Sequence, residues 1–120
     1  MPIKEGGNLM ATLTILDVGC IKKQDTVGSD SIHIHVGGNH LAGPFAMGKT
    51  DVVTLPNTTF PFKRSAEIEL IEVDGAVGGS NDESLGKWTV TEAQAGRGIL
   101  TGDFHRLSGA DYHVRYKVTA

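Results

Sequence analysis

Alternation of apolar and polar residues is the feature that most narrows what this chain folds into. Ile32, Ile34 and Val36 alternate with Ser31, His33 and His35, and Tyr112, Val114, Tyr116 and Val118 alternate with His113, Arg115, Lys117 and Thr119. From Ala11 onward, Leu13 and Ile15 alternate with Thr12 and Thr14. A period of two sends successive side chains to opposite faces of a strand, so each stretch has one buried and one wet face. That pattern belongs to antiparallel sheets covered on one side. Further strands are predicted over 50–55, 59–62, 66–73, 86–92 and 97–105. Between Leu70 and Ile71 the apolar phase slips, which points to a bulge or to a strand buried on both faces.

Turn signals separate these runs at Gly37-Gly38-Asn39, Leu55-Pro56-Asn57, Gly78-Gly79, Ala95-Gly96 and Ser108-Gly109. The 16 glycines suit a protein of many tight turns. Thr91 to Gly96 admits at most one helical turn. Many short strands with turns between them indicate an all-β fold, an antiparallel sandwich or barrel. At 120 residues the chain has room for one core. Residues 1–10 read as a flexible lead-in and 11–120 as a single domain.

A net charge of −3 with both signs mixed gives no bulk attraction to nucleic acid. The single cysteine, Cys20, cannot close an internal disulfide and is expected to be a small buried thiol. The N-terminal stretch lacks the apolar segment of a secretory signal, and no apolar run is long enough to span a bilayer. A soluble, cytoplasmic protein is therefore expected, with export by another route left open.

One segment, Gly43-Pro44-Phe45-Ala46-Met47-Gly48-Lys49-Thr50, fits the phosphate-binding pattern G-x-x-x-x-G-K-T. That motif needs a following helix whose N-terminus faces phosphate. Here Asp51-Val52-Val53-Thr54-Leu55-Pro56 follows, rich in β-branched residues and ending in proline, so no nucleotide site is expected. His33 and His35 share a strand face and have a spacing that suits two zinc ligands, but no third ligand is fixed by spacing. His105 and His113 are candidates to lie close across the last hairpin. Both pairs are expected to be solvated strand histidines. The stripe His113, Arg115, Lys117 could touch an anionic lipid or glycan and is expected to be the wet side of a sheet, a pattern that edge strands favour. No nucleophile motif stands out, so an enzyme is not expected.

Two acidic, glycine-punctuated loops remain: Asp25-Thr26-Val27-Gly28-Ser29-Asp30, and Glu72-Val73-Asp74-Gly75 through Gly78-Gly79-Ser80-Asn81 to Asp82-Glu83-Ser84-Leu85-Gly86. Each lies between strand-like segments. Brought to one end of a sandwich, their carboxylates would form an oxygen-rich cup of the kind that binds Ca²⁺, which takes six to eight oxygens at about 2.3–2.6 Å. Asp25, Asp30, Asp74, Asp82 and Glu83 could supply several of those oxygens. The opposing reading is that these are ordinary solvated turns.

In order and flanking context the loops resemble those of C2 domains. In that family the first loop reads roughly Asp-x-x-Gly-x-Ser-Asp-Pro-Tyr and enters a strand. The later loop follows an Asp-x-Asp element and closes with Asp-x-Leu-Gly. Glu72-Val73-Asp74 and Glu83-Ser84-Leu85-Gly86 stand in those later places, and Trp88 and Val90 continue the next strand. The resemblance implies an antiparallel β-sandwich of about eight strands. Its implied Ca²⁺ ligands are Asp25, Asp30 and Asp74, with Glu72 and Glu83. Three β segments follow the second loop, which looks like the permuted C2 topology with an extra strand at the C-terminus.

The chain departs from the family pattern in four ways. Asp25 and Asp30 stand one residue closer, Ser31-Ile32 replaces Pro-Tyr, glutamates replace two aspartates, and Gly78-Gly79 lengthens the second loop. The expected function is a non-enzymatic C2-like binding module that engages a phospholipid surface or a protein partner. A metal-independent structural or assembly subunit, open to homo-oligomerisation, is the alternative. A carbohydrate-binding sandwich is a weaker one, because Trp88, Tyr112 and Tyr116 fall at core-like positions. Val27, Ala76 and Val77 are the apolar loop residues a membrane role would use.

Overall fold

The computed structural model describes residues 10–22, 30–73, 83–105 and 111–120. Within them lie eight strands: β1 Ala11–Lys22, β2 Asp30–Val36, β3 Asn39–Met47, β4 Val52–Phe62, β5 Ser65–Glu72, β6 Glu83–Thr91, β7 Leu100–His105 and β8 Asp111–Thr119. A single 3₁₀ turn, Glu92–Gln94, interrupts them. The strands form two four-stranded sheets in the orders β4-β1-β8-β7 and β3-β2-β5-β6, and every strand pair is antiparallel. Three strands follow the second acidic loop, as expected.

The alternating residues close against one another between the sheets. Leu13, Ile15, Val18, Tyr112, Val114, Tyr116 and Val118 come from one sheet, and Ile32, Ile34, Val36, Ile68, Leu70, Leu85 and Val90 from the other; all are buried in one core. Burying a side chain of this size contributes about 1.5–3 kcal/mol. Cys20 joins this core as a free, buried thiol.

Phase changes in the alternation mark real irregularities. The β5–β6 register shifts at Leu70/Ile71, and the extra residue is Leu85 on the partner strand. A second shift falls in β1 between Ile15 and Asp17. Beyond it the inward residues become Val18 and Cys20, and Asp17 stands opposite Arg115 on the outer face. Asp17 is nonetheless buried, because the Arg115 guanidinium lies over it: Nε donates to Oδ1 at 3.1 Å and to Oδ2 at 3.0 Å, and Nη2 also donates to Oδ2.

Several expectations need correction. The 50–55 and 59–62 segments are one strand, β4, and Leu55-Pro56-Asn57 is a break in its pairing rather than a turn. Proline is tolerated there because β4 is an edge strand and no ladder hydrogen bond is lost inside the sheet. β3 was not expected at all. It carries Gly43-Pro44 at another sheet edge, across a shifted register. The His113, Arg115, Lys117 stripe is not on an edge, since β8 lies between β1 and β7.

The sheets are tied through a polar chain near the 3₁₀ turn. Trp88 Nε1 on β6 donates to the Tyr116 hydroxyl on β8 at 3.0 Å, and that hydroxyl donates to Gln94 Oε1 at 3.1 Å. Trp88 lies flat enough on Gly102 that a Cβ at that position would sit 2.7 Å from Trp88 Cγ. Gly102→Ala is therefore expected to destabilise the fold by about 1–3 kcal/mol, and Ile34→Ala by about 2–5 kcal/mol, read from urea unfolding midpoints at constant slope.

Arg115→Gln, which leaves the buried Asp17 carboxylate without its guanidinium, is expected to lower the same midpoint, while Lys117→Gln on the exposed side of β8 leaves it in place. The hydrogen bonds and charge of Asp17 hold Arg115 above its ordinary value, against a smaller opposing effect of burial. A raised folded pKa gives stability that is present below the unfolded value and lost only as pH rises through the folded one. The Arg115 contribution is thus expected to stay flat between about pH 6 and pH 10, as urea midpoints of the parent and Arg115→Gln would show in parallel.

Candidate functional site

Strand register decides which connections meet. Lys22 pairs with Asp111, Gly19 with Val52, and His105 with Asp111, so β1 ends where β4 and β8 begin and where β7 ends. In the other sheet Asp30 pairs with Met47, Ile32 with Glu72, and Glu72 with Glu83. The short 48–51 connection carries Met47 of one sheet to Val52 of the other, so these two sets of strand ends are at the same end of the sandwich. Backbone bonds reinforce that end: Cys20 N donates to Asp51 O at 2.9 Å, Thr50 N to Cys20 O at 2.8 Å, and Val73 N to Ser31 O at 2.9 Å. The strands that lead into and out of both acidic loops therefore converge.

Two of the six expected ligands are described in full. Glu72 is buried at 1% exposure, on the inward side of β5 in series with Ile68 and Leu70. Glu83 stands directly opposite it on β6 and is partly exposed. Asp30 is placed by its backbone, two residues beyond the Ile32–Glu72 rung toward the same end. Asp25, Asp74 and Asp82 lie outside the described residues, as do Val27, Ala76 and Val77. Among the described residues no group of three or more His, Cys, Asp or Glu side chains is gathered round a cation position.

Two apolar residues at this end were not anticipated. Ile21 is 50% exposed and Val52 60% exposed; Val52 pairs with Gly19, and Ile21 lies two residues beyond Gly19 on β1. Ile21 is the extra residue of a further β1–β8 register shift between Cys20 and Lys22, which alternation in the sequence does not locate.

The remaining motifs resolve differently. The G-x-x-x-x-G-K-T segment runs along β3 into the 48–51 turn, and the Gly48 N–H is taken by Asp51 Oδ2 at 2.7 Å. No helix follows it, so it lacks the geometry of a phosphate cradle. His105 pairs with Asp111 and His113 with Asp103, so the two histidines are offset along the last hairpin. Tyr112 and Tyr116 are fully buried and Trp88 is bonded to Tyr116, so these aromatics present no stacking platform for a sugar. No helix among the described residues is long and apolar enough to cross a membrane.

No protein-family model and no curated protein matches the chain. Fourteen solved chains match it. One, described as "Structure of a C2 domain", aligns over 92% of this chain and 98% of its own at 14% identity, with a TM-score of 0.52. That likeness shows the fold, and the chain is a C2-like antiparallel β-sandwich.

Proposed function

We propose that this chain is a non-catalytic C2-like binding module whose acidic end takes Ca²⁺ and engages an anionic phospholipid surface or a protein partner. The observation that carries this reading is the rung Glu72–Glu83 at the end of the sandwich where both acidic loops are anchored. Glu72 and Glu83 offer carboxylate oxygen to a hard divalent cation there, and Asp30, Asp25, Asp74 and Asp82 belong to strand ends or loops anchored at the same end. Exposed Ile21 and Val52 beside this end give the module an apolar contact for a headgroup boundary or a partner surface. A bound cation then turns the local field from repelling to attracting anionic lipid.

Ca²⁺ at about 100 times its Kd is expected to raise stability by about 2.7 kcal/mol, seen as a rise in melting temperature that EGTA reverses. Glu83→Gln is expected to shrink that rise. Co-sedimentation with phosphatidylserine-containing vesicles is expected to require Ca²⁺ and to weaken in Val52→Asp, while the thermal shift of Val52→Asp stays as in the parent. No shift at millimolar Ca²⁺ sinks the metal reading and leaves a metal-independent assembly subunit, for which sedimentation would show a homo-oligomer.

A further inference from the structure

The outer face of the β3-β2-β5-β6 sheet carries a histidine cluster that runs toward the Gly37-Gly38 hairpin. The Gly37-Gly38 turn, with both residues at positive φ, closes a tight hairpin in which Val36 pairs with Asn39 and His35 with His40. His33 lies two residues back on the same face of β2, since Ile32, Ile34 and Val36 point into the core. The His40 ring meets both neighbours: its centroid is 5.3 Å from that of His33 and 5.5 Å from that of His35. Thus the hairpin adds a third imidazole to the pair on β2.

We infer that His33, His35 and His40 form a surface site for a divalent transition-metal ion with imidazole preference, with Zn²⁺ as the probe. Two imidazoles held tetrahedrally by one ion at about 2.0–2.1 Å have ring centroids roughly 5 Å apart, which is the spacing found at both contacts. The nitrogens are not gathered on one point in the conformation described, where the rings meet edge to face at 64° and 88°. Turning a ring about Cβ–Cγ relocates its nitrogens while barely moving its centroid. That torsion is broad for histidine, and rings on an accessible face change rotamer rapidly.

The backbone thereby fixes the spacing of His40 from both β2 histidines, and ring rotation is the change that would bring the nitrogens onto one ion. Three nitrogen ligands leave a fourth position for water. Glu69, the register partner of His35 on β5, places negative charge on the same row. Imidazole nitrogens suit zinc, copper or nickel, whereas Ca²⁺ requires oxygen, so this site is chemically separate from the acidic end.

Zn²⁺ titrated calorimetrically into the full chain at about pH 7.5 is expected to bind one ion per chain, with histidine ring NMR signals shifting at His33, His35 and His40. His40→Ala, which alters an exposed side chain, is expected to weaken binding about tenfold or more, and His33→Gln likewise, while both keep the metal-free melting temperature. His113→Gln, on the other sheet, is expected to bind as the parent does. No saturable binding at about 1 mM Zn²⁺ overturns the site, as does binding that His40→Ala leaves unchanged or that depends on Glu83 instead.

Discussion

The antiparallel pairing of the first described strand with the last organises this molecule. β1 and β8 lie side by side in the middle of one sheet, with β4 and β7 at its edges. The pairing is not uniform: shifts at Ile15/Asp17 and Cys20/Lys22 divide it, and just past the first the Asp17 carboxylate is capped by the Arg115 guanidinium. The bulge and the ion pair depend on each other. Without the extra residue, Asp17 would point into the core, where an unpaired carboxylate is costly. Without Arg115, the bulge would leave a buried charge on an outer face. Two widely separated chain positions thereby fix one register, and that register sets the level at which β1 hands over to the first acidic loop.

From that level the site follows by connectivity. The 48–51 turn is too short to let the two sheets end at different heights, and backbone bonds from Cys20 to Asp51 and from Thr50 to Cys20 lock it against β1. The acidic segments of both sheets are therefore presented together because the strands beneath them are level. Glu72 shows how closely core and site adjoin. It continues the inward series Ile68, Leu70 on β5, so the same alternation that builds the core places a carboxylate at its mouth.

How much of this was legible in the sequence varied with the physics involved. Period-two alternation in 31–36 and 112–119 gave strands and faces directly, because burial selects side chains one by one. The slip at Leu70/Ile71 announced a bulge, although only pairing could reveal that the extra residue is Leu85 on β6. β3 was hidden because its Gly43-Pro44 imitates a loop and its edge position tolerates proline. That omission concealed the histidine cluster. The Gly37-Gly38 dipeptide is itself a hairpin signal, and extending it by two residues on each side would have set His40 opposite His35. Ile21 and Val52 were hidden for a different reason: exposure beyond a bulge depends on the bulge, which alternation alone does not locate. For the acidic loops, sequence supplied the residue types and order, and the meeting of their strand ends required the registers of both sheets.

β2 shows why the acidic end and the histidine face are not independent accidents. Its inward residues Ile32, Ile34 and Val36 are fully buried, its first residue Asp30 opens the acidic end, and its outward residues are His33 and His35. A one-residue slip of β2 would bury both histidines and expose three branched apolar side chains, so the core enforces the register with far more energy than either surface feature could. Both features thus take their geometry from the hydrophobic alternation of one short strand. Substitutions at Ile32 or Ile34 would disturb both together, whereas a change at His40 or Glu83 touches only one. The chain can therefore vary its ligands at either place without renegotiating the fold, because the residues that specify position and those that supply chemistry alternate along β2 and do not coincide.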